Sequence, residues 1–315
     1  MMRTSISLVG TRRLVLGTYL ALLTSLAVAQ TDQLHYDVDP DFFHLPDGWN
    51  FGPTPGAAQT LDGNILIFTR GPHALLEFAE DGTFIRELAH GQFETPHGLR
   101  VDSDGNVWTT DVGQHLVIKF DRDGRKQMVL GIRGTAGFEI DTLGLHAGLF
   151  NRPTDVAFDR DGNVYVSDGY GNSRVVKYTS DGEYVTEWGE YGSEPGQFNL
   201  PHTIYVDSDN RVWVGDRNNR RIQIFDTDGA LLEVWDHVGH PWGFAPASDG
   251  NVWMADGTAN RVVKLSPDGE IVGAFGEPGR STGKLGWVHY LTELRDGSLI
   301  LSEIVSHRAS RYVKE

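Results

Sequence analysis

A turn signature that returns six times sets the architecture open to this chain. Asp-Gly-Asn or a close variant occurs at Asp62-Gly63-Asn64, Asp104-Gly105-Asn106, Asp161-Gly162-Asn163, Asp209-Asn210, Asp249-Gly250-Asn251 and Asp296-Gly297-Ser298. The spacings are 42, 57, 48, 40 and 47 residues, the length of one propeller blade. Each turn leads into a β-rich run such as Ile65-Leu66-Ile67-Phe68 or Val164-Tyr165-Val166. Asp-Gly supplies the positive φ that tight hairpins need. A second Asp-Gly follows each of the first five turns after 19 or 20 residues, at Asp81, Asp123, Asp181, Asp228 and Asp268. Two hairpin turns per repeat define four antiparallel strands, a to d.

In the sixth repeat that second turn would fall on the last residue, Glu315. The sixth blade therefore lacks its outer strand, and the segment from Leu34 to Leu45 is the natural donor. Closing the ring in this way removes free sheet edges. The expected fold is all-β, a single six-bladed β-propeller over residues 30–315 whose last blade is closed by the N-terminal strand. A β-solenoid is the alternative repeat architecture. The longest insertion, from Ile132 to Phe150, separates blades two and three and is long enough to carry function.

Composition narrows the chemistry. The chain has 315 residues, a formal charge of −16 and no cysteine. The charge argues against nucleic acid as a partner, since phosphate binding needs a basic face. The missing cysteines exclude disulfides, thiolate nucleophiles and Cys-ligated metals. Any metal must be held by His, Asp or Glu.

The N-terminus reads as an address. Arg3, Arg12 and Arg13 precede the apolar run from Leu14 to Leu23, and Ala27-Val28-Ala29 offers a small-x-small cleavage site. Residues 1–29 are therefore expected to be a secretory signal peptide, with Sec and twin-arginine export both open. The run is short for an uncleaved anchor. The mature chain is expected to be exported, periplasmic or secreted, and free of the membrane.

Seven residues before the first turn aspartate, the six repeats read Pro55, His97, Thr154, His202, Trp242 and His289. Histidine thus occupies blades two, four and six. Equivalent positions on alternate blades of a six-fold ring converge on its axis as a trigonal set. Three neutral imidazoles with an open fourth position are what a catalytic Zn²⁺ needs, with Fe²⁺ and Co²⁺ as alternatives. Strand a runs away from these histidines and strand b returns, so the loop after strand b ends on the same face. That loop carries Arg70, Gly169-Tyr170 and Arg217. Arginine suits a carboxylate, and a tyrosine surrounded by positive charge can act as a general base. His73, His90, His115, His146, His237, His240 and His307 fall outside the register.

The repeats also fit the NHL pattern, with Asn172-Ser173-Arg174, Asn219-Arg220-Arg221 and Ala259-Asn260-Arg261 after strand b. Within that pattern the chain resembles peptidyl-α-hydroxyglycine α-amidating lyase. The resemblance is densest from Phe150 to Phe225, in Pro153-Thr154-Asp155-Val156, Val166-Ser167-Asp168-Gly169-Tyr170, Trp188-Gly189-Glu190, Pro195-Gly196-Gln197-Phe198 and Pro201-His202. It extends more weakly to Phe68-Thr69-Arg70-Gly71, Pro96-His97-Gly98-Leu99 and the His289 blade.

The resemblance implies zinc at His97, His202 and His289, Tyr170 as catalytic base, Arg70 as its partner and a carboxylate contact, and Arg217 as a second substrate-binding residue. It implies cleavage of the N–Cα bond of a peptidyl- or N-acyl-α-hydroxyglycine, giving an amide and glyoxylate. The chain departs from the family at Tyr290, where an Asp would bind calcium. The carbonyls of Ala57 and Leu99 remain as the matching positions of a weak Ca²⁺ site. Gly171 and Trp213 stand where the family has cysteines. The sequence contains no copper monooxygenase module to make the hydroxyglycine, so another hemiaminal is also a candidate substrate. The competing reading is a non-catalytic exported NHL propeller that binds a protein or cell-wall ligand. A third, a six-bladed lactonase, is weaker, because such enzymes usually hold metal with Glu, Asn and Asp.

Overall fold

The computed structural model describes residues 32–137 and 149–315. The expected signal peptide and the middle of the Ile132–Phe150 insertion lie outside the described residues.

Six four-stranded antiparallel sheets form the propeller. Blade one comprises Gly56–Gln59, Ile65–Phe68, Leu75–Phe78 and Phe84–Leu88, and blade two Pro96–Val101, Val107–Asp111, Leu116–Phe120 and Lys126–Leu130. Blade three comprises Asp155–Phe158, Val164–Asp168, Arg174–Tyr178 and Tyr184–Trp188, and blade four Pro201–Val206, Val212–Asp216, Arg221–Phe225 and Leu231–Trp235. Blade five comprises Gly243–Pro246, Val252–Asp256, Arg261–Leu265 and Ile271–Phe275. Blade six has Val288–Glu293, Leu299–Glu303 and Arg308–Lys314 from the C-terminus and takes Tyr36–Asp39 as its outer strand. The donor pairs antiparallel, Tyr36 opposite Lys314 and Asp39 opposite Arg311. Its Tyr36 ring stacks on Phe275 of blade five at 4.5 Å.

The turn signature explains why each blade forms. Glycines 63, 105, 162, 250 and 297 all have positive φ, and Asn210 takes the same conformation at φ 59° in blade four. In blades two, three and four an aspartate two residues upstream of the turn, Asp102, Asp159 or Asp207, locks it. Asp102 Oδ1 accepts the backbone N–H of Asp104 and Asn106, at 3.0 and 2.8 Å. Its Oδ2 accepts the indole N–H of Trp108 at 2.8 Å. Asp207 holds Trp213 in the same way, and Asp159 accepts the hydroxyl of Tyr165. These aromatic side chains are fully buried between blades, so one carboxylate both closes a hairpin and orients a core ring.

The NHL polar residues tie the ends of the strands. Asp168 accepts from Asn172 at 2.7 Å, from Arg174 at 3.2 Å and from the Asn151 backbone at 2.9 Å. Asp216 repeats this set with Asn219, Arg221 and the Asn199 backbone. Each aspartate therefore anchors the segment that leads into an innermost strand, and those segments carry the site.

Candidate metal centre

The innermost strands come in two kinds. In blades one, three and five they have four residues and pair with their neighbours in regular register. In blades two, four and six they have six residues, and the register slips between Pro96 and Leu99, Pro201 and Thr203, and Val288 and Tyr290. His97, His202 and His289 sit within those slips, each as the second residue of its strand. An irregularity of this kind re-aims a side chain, and here it brings three imidazoles together.

The three rings form a nearly equilateral triangle, with centroids 4.7, 4.8 and 4.9 Å apart. His97 and His202 are 1% exposed and His289 4%. The Nδ1–H of His97 is donated to Thr154 O at 2.7 Å, that of His202 to Trp242 O at 2.7 Å, and that of His289 to Pro55 O at 2.8 Å. Each acceptor is the residue at the same register position in the following blade. A carbonyl can only accept, so every Nδ1 is protonated and every Nε2 presents a lone pair.

Burial pushes His97 and His202 well below the usual imidazole range, helped at His97 by His289, Arg70 and Arg217, and at His202 by Arg217, His97 and His289. His289 is held down at about 3, first by burial and then by Arg70 and Arg217. All three are neutral at neutral pH, the state in which imidazole binds a metal. The His289 Nε2 is buried and has no hydrogen-bond partner. Candidate ligand atoms on the three residues lie within 4.8 Å of one another. An orphaned buried lone pair among three oriented neutral imidazoles fits a divalent metal with nitrogen donors.

Tyr170 joins the cluster. Its hydroxyl lies 3.1 Å from His97 Nε2 and 3.2 Å from His202 Nε2. Gly169 allows this approach, because a Cβ there would lie 1.9 Å from Pro201 O on the strand that bears His202. Arg70 donates from Nε to Pro96 O at 2.9 Å, which pins it beside His97. Arg217 lies 5.8 Å from the Tyr170 ring centre and 4.6 Å from that of Trp242. The structure thus gathers His97, His202, His289, Tyr170, Arg70 and Arg217 at one mouth.

Arg152 was not anticipated. Its guanidinium lies 5.3 Å from the Tyr170 ring centre, and its backbone is left-handed at φ 65°. Its place in the segment just before strand a of blade three is the signal that could have flagged it. A looser group, His73 and His90 each 2.9 Å from Glu87, lies apart from the triad in blade one.

Two residues further along strand a, the arrangement does not fit a calcium ion. Ala57, Leu99, Val156, Ile204 and Phe244 share this register position. Arg100 donates to the carbonyls of Val156, Phe244 and Ile204, at 3.1, 2.9 and 3.2 Å, and to Asp155 Oδ2. Its guanidinium also lies 4.3 Å from the Tyr290 ring centre, and the Tyr290 hydroxyl donates to Phe244 O. A fixed cation already takes three carbonyls of the ring, and Tyr290 brings a phenol where calcium needs a carboxylate.

The NHL repeat pattern matches residues 93–120, 150–178 and 198–225. The second, third and fourth blades of the propeller are therefore NHL repeats. It is 37% identical over 231 residues to NHL repeat-containing protein 3 of Mus musculus, covering 67% of this chain and 65% of that one. It is 38% identical over 145 residues to a probable peptidyl-alpha-hydroxyglycine alpha-amidating lyase of Caenorhabditis elegans, covering 45% and 39%. The match thus spans less than two thirds of either relative's length. A solved streptogramin B lyase superposes with a TM-score of 0.63 at 17% identity, covering 89% of this chain and 98% of that one. That likeness bears on the fold alone. Homologues of this NHL-repeat chain therefore include named amidating lyases.

Proposed function

We propose that this protein is a zinc-dependent carbon–nitrogen lyase that cleaves the N–Cα bond of a peptidyl- or N-acyl-α-hydroxyglycine. The observation that carries this reading is the Tyr170 hydroxyl, 3.1 and 3.2 Å from the Nε2 atoms of two histidines in a neutral, oriented triad. His97, His202 and His289 would hold the metal. When bound, the metal supplies Lewis acidity at the substrate's α-hydroxyl.

The chain's own residues account for the rest. Arg70 and Arg217 bind the carboxylate as charge-assisted donors. The Tyr170 oxygen, with Arg152 and Arg217 beside its ring, takes the hydroxyl proton. The O–H electron pair forms the aldehyde carbonyl of glyoxylate, and the N–Cα pair leaves with nitrogen. Nitrogen receives the proton back from Tyr170, so an amide and glyoxylate account for every atom of the substrate. The buried floor of imidazoles limits water at the reacting carbon. We also propose export, with residues 1–29 removed as a signal.

The test is glyoxylate release from α-hydroxyhippurate by the purified zinc-loaded protein. A second reading, a non-catalytic binding propeller, draws support from the longer match to NHL repeat-containing protein 3. Release of glyoxylate at an enzymatic rate eliminates it, and no release at full metal occupancy favours it.

A further inference from the structure

Trp287 is the most unusual exposed residue beside the site. Its backbone is left-handed at φ 57°, where a bulky side chain is an outlier, and the residue is 48% exposed. Such strain persists only where the surroundings impose it. Here the Trp287 N–H is donated to Asn260 Oδ1 at 2.5 Å, and its carbonyl accepts the Ile304 N–H at 3.0 Å. Both contacts fix the peptide and neither buries the indole, so folding alone gives no account of a tryptophan at this position.

The Trp287 ring lies against Trp242, at 5.5 Å and 60°. Trp242 lies 5.5 Å from the His202 ring and 5.7 Å from the His289 ring, and its Nε1–H is donated to Thr258 Oγ1 at 3.1 Å. Arg217 lies over the Trp242 ring. A continuous aromatic wall therefore runs from the imidazole triad to solvent, two ring-to-ring steps long, with a guanidinium alongside. Beyond Arg217, Tyr170, Arg152 and Arg70 make the rest of the mouth polar and cationic.

We propose that Trp242 and Trp287 form the acyl subsite and select substrates whose N-acyl group carries an aromatic ring. This rests on the lyase reading above. With the carboxylate on the arginines and the hemiaminal carbon over the triad, the acyl group leaves along the remaining apolar side. A benzoyl-sized ring there meets two indoles, whereas an acetyl group stops short of Trp287. Offset or edge-on contact between aromatic rings, together with the apolar area buried, favours the larger group by about 10-fold or more.

The experiment compares N-benzoyl- with N-acetyl-α-hydroxyglycine on the zinc-loaded wild type, Trp287→Gly and Trp287→Phe. Glycine accepts φ 57° without strain, so Trp287→Gly keeps the loop while removing the ring. The expected result is a wild-type preference for benzoyl in kcat/KM, reduced about 10-fold in Trp287→Gly through KM and largely retained in Trp287→Phe. An unchanged benzoyl-to-acetyl ratio in Trp287→Gly overturns the proposal. A parallel calorimetric titration with the unreactive N-benzoylglycine and N-acetylglycine reads the subsite without turnover. If the wild type turns over neither substrate, the lyase reading fails. The affinity ratio for the two acylglycines, and its loss in Trp287→Gly, then still decides the subsite.

Discussion

His289 donates its Nδ1–H to the carbonyl of Pro55 at 2.8 Å, a bond between residues 234 positions apart that joins the last blade to the first. It is one of three such bonds, each made by a histidine in an even-numbered blade to the same register position in the next blade. Closure of the propeller and orientation of the triad are therefore the same event. The donor strand Tyr36–Asp39, by pairing with Arg308–Lys314, fixes the blade that delivers the third imidazole.

That dependence gives the first prediction. The triad should hold about one divalent metal per chain, and His202→Ala, which removes one of three ligands, should lower the content to near zero. Elemental analysis of both proteins after identical zinc loading and dialysis checks this. Equal stoichiometry in the variant would remove His202 from the metal set.

The second prediction is a pH dependence of the metal-free protein. The three histidines titrate well below 6.5 in the fold, His289 at about 3. Below pH 6.5 the unfolded chain thus binds protons that the folded protein does not. Their contribution to stability is complete above about pH 6.5 and is lost as pH falls toward the folded values. Each such group adds a slope of about 1.4 kcal/mol per pH unit. Denaturant titrations between pH 7 and 4.5 should show this loss, and the slope should be shallower in His289→Phe. Identical slopes would contradict it.

The third concerns Arg100, which binds three strand carbonyls and Asp155 on the channel axis. Chelation of calcium with EGTA should leave the melting temperature unchanged. Arg100→Met strands the Asp155 carboxylate, which is 3% exposed, and should cost about 3–5 kcal/mol. Urea unfolding measures the cost. A large EGTA effect on wild type at constant zinc content would show that calcium does bind.

Much of this was legible because it recurs. The six turns, the two turn offsets and the alternating His register are periodic, and periodicity converts directly into blades, strands and a trigonal cluster. The missing outer strand of blade six was legible for the same reason. Features that no residue type marks were not. The register slips that re-aim His97, His202 and His289 involve Pro96, Pro201 and Val288, residues ordinary for any strand start. Arg100 follows Leu99 in an apolar strand and reads as a solvent-facing residue until the ring closes around it. Arg152 owes its place to a left-handed backbone, and Trp287 likewise, and neither conformation is written in the residue type.

The most direct test of the account is steady-state glyoxylate release from α-hydroxyhippurate by wild type and Tyr170→Phe at matched zinc occupancy. The substitution removes one hydroxyl and leaves the ring between Arg152 and Arg217. Folding and metal content should therefore be retained. With Tyr170 as the base, kcat should fall by roughly 10²–10⁴-fold, and KM should change less because Arg70 and Arg217 still bind the carboxylate. Wild-type kcat in Tyr170→Phe would contradict the account.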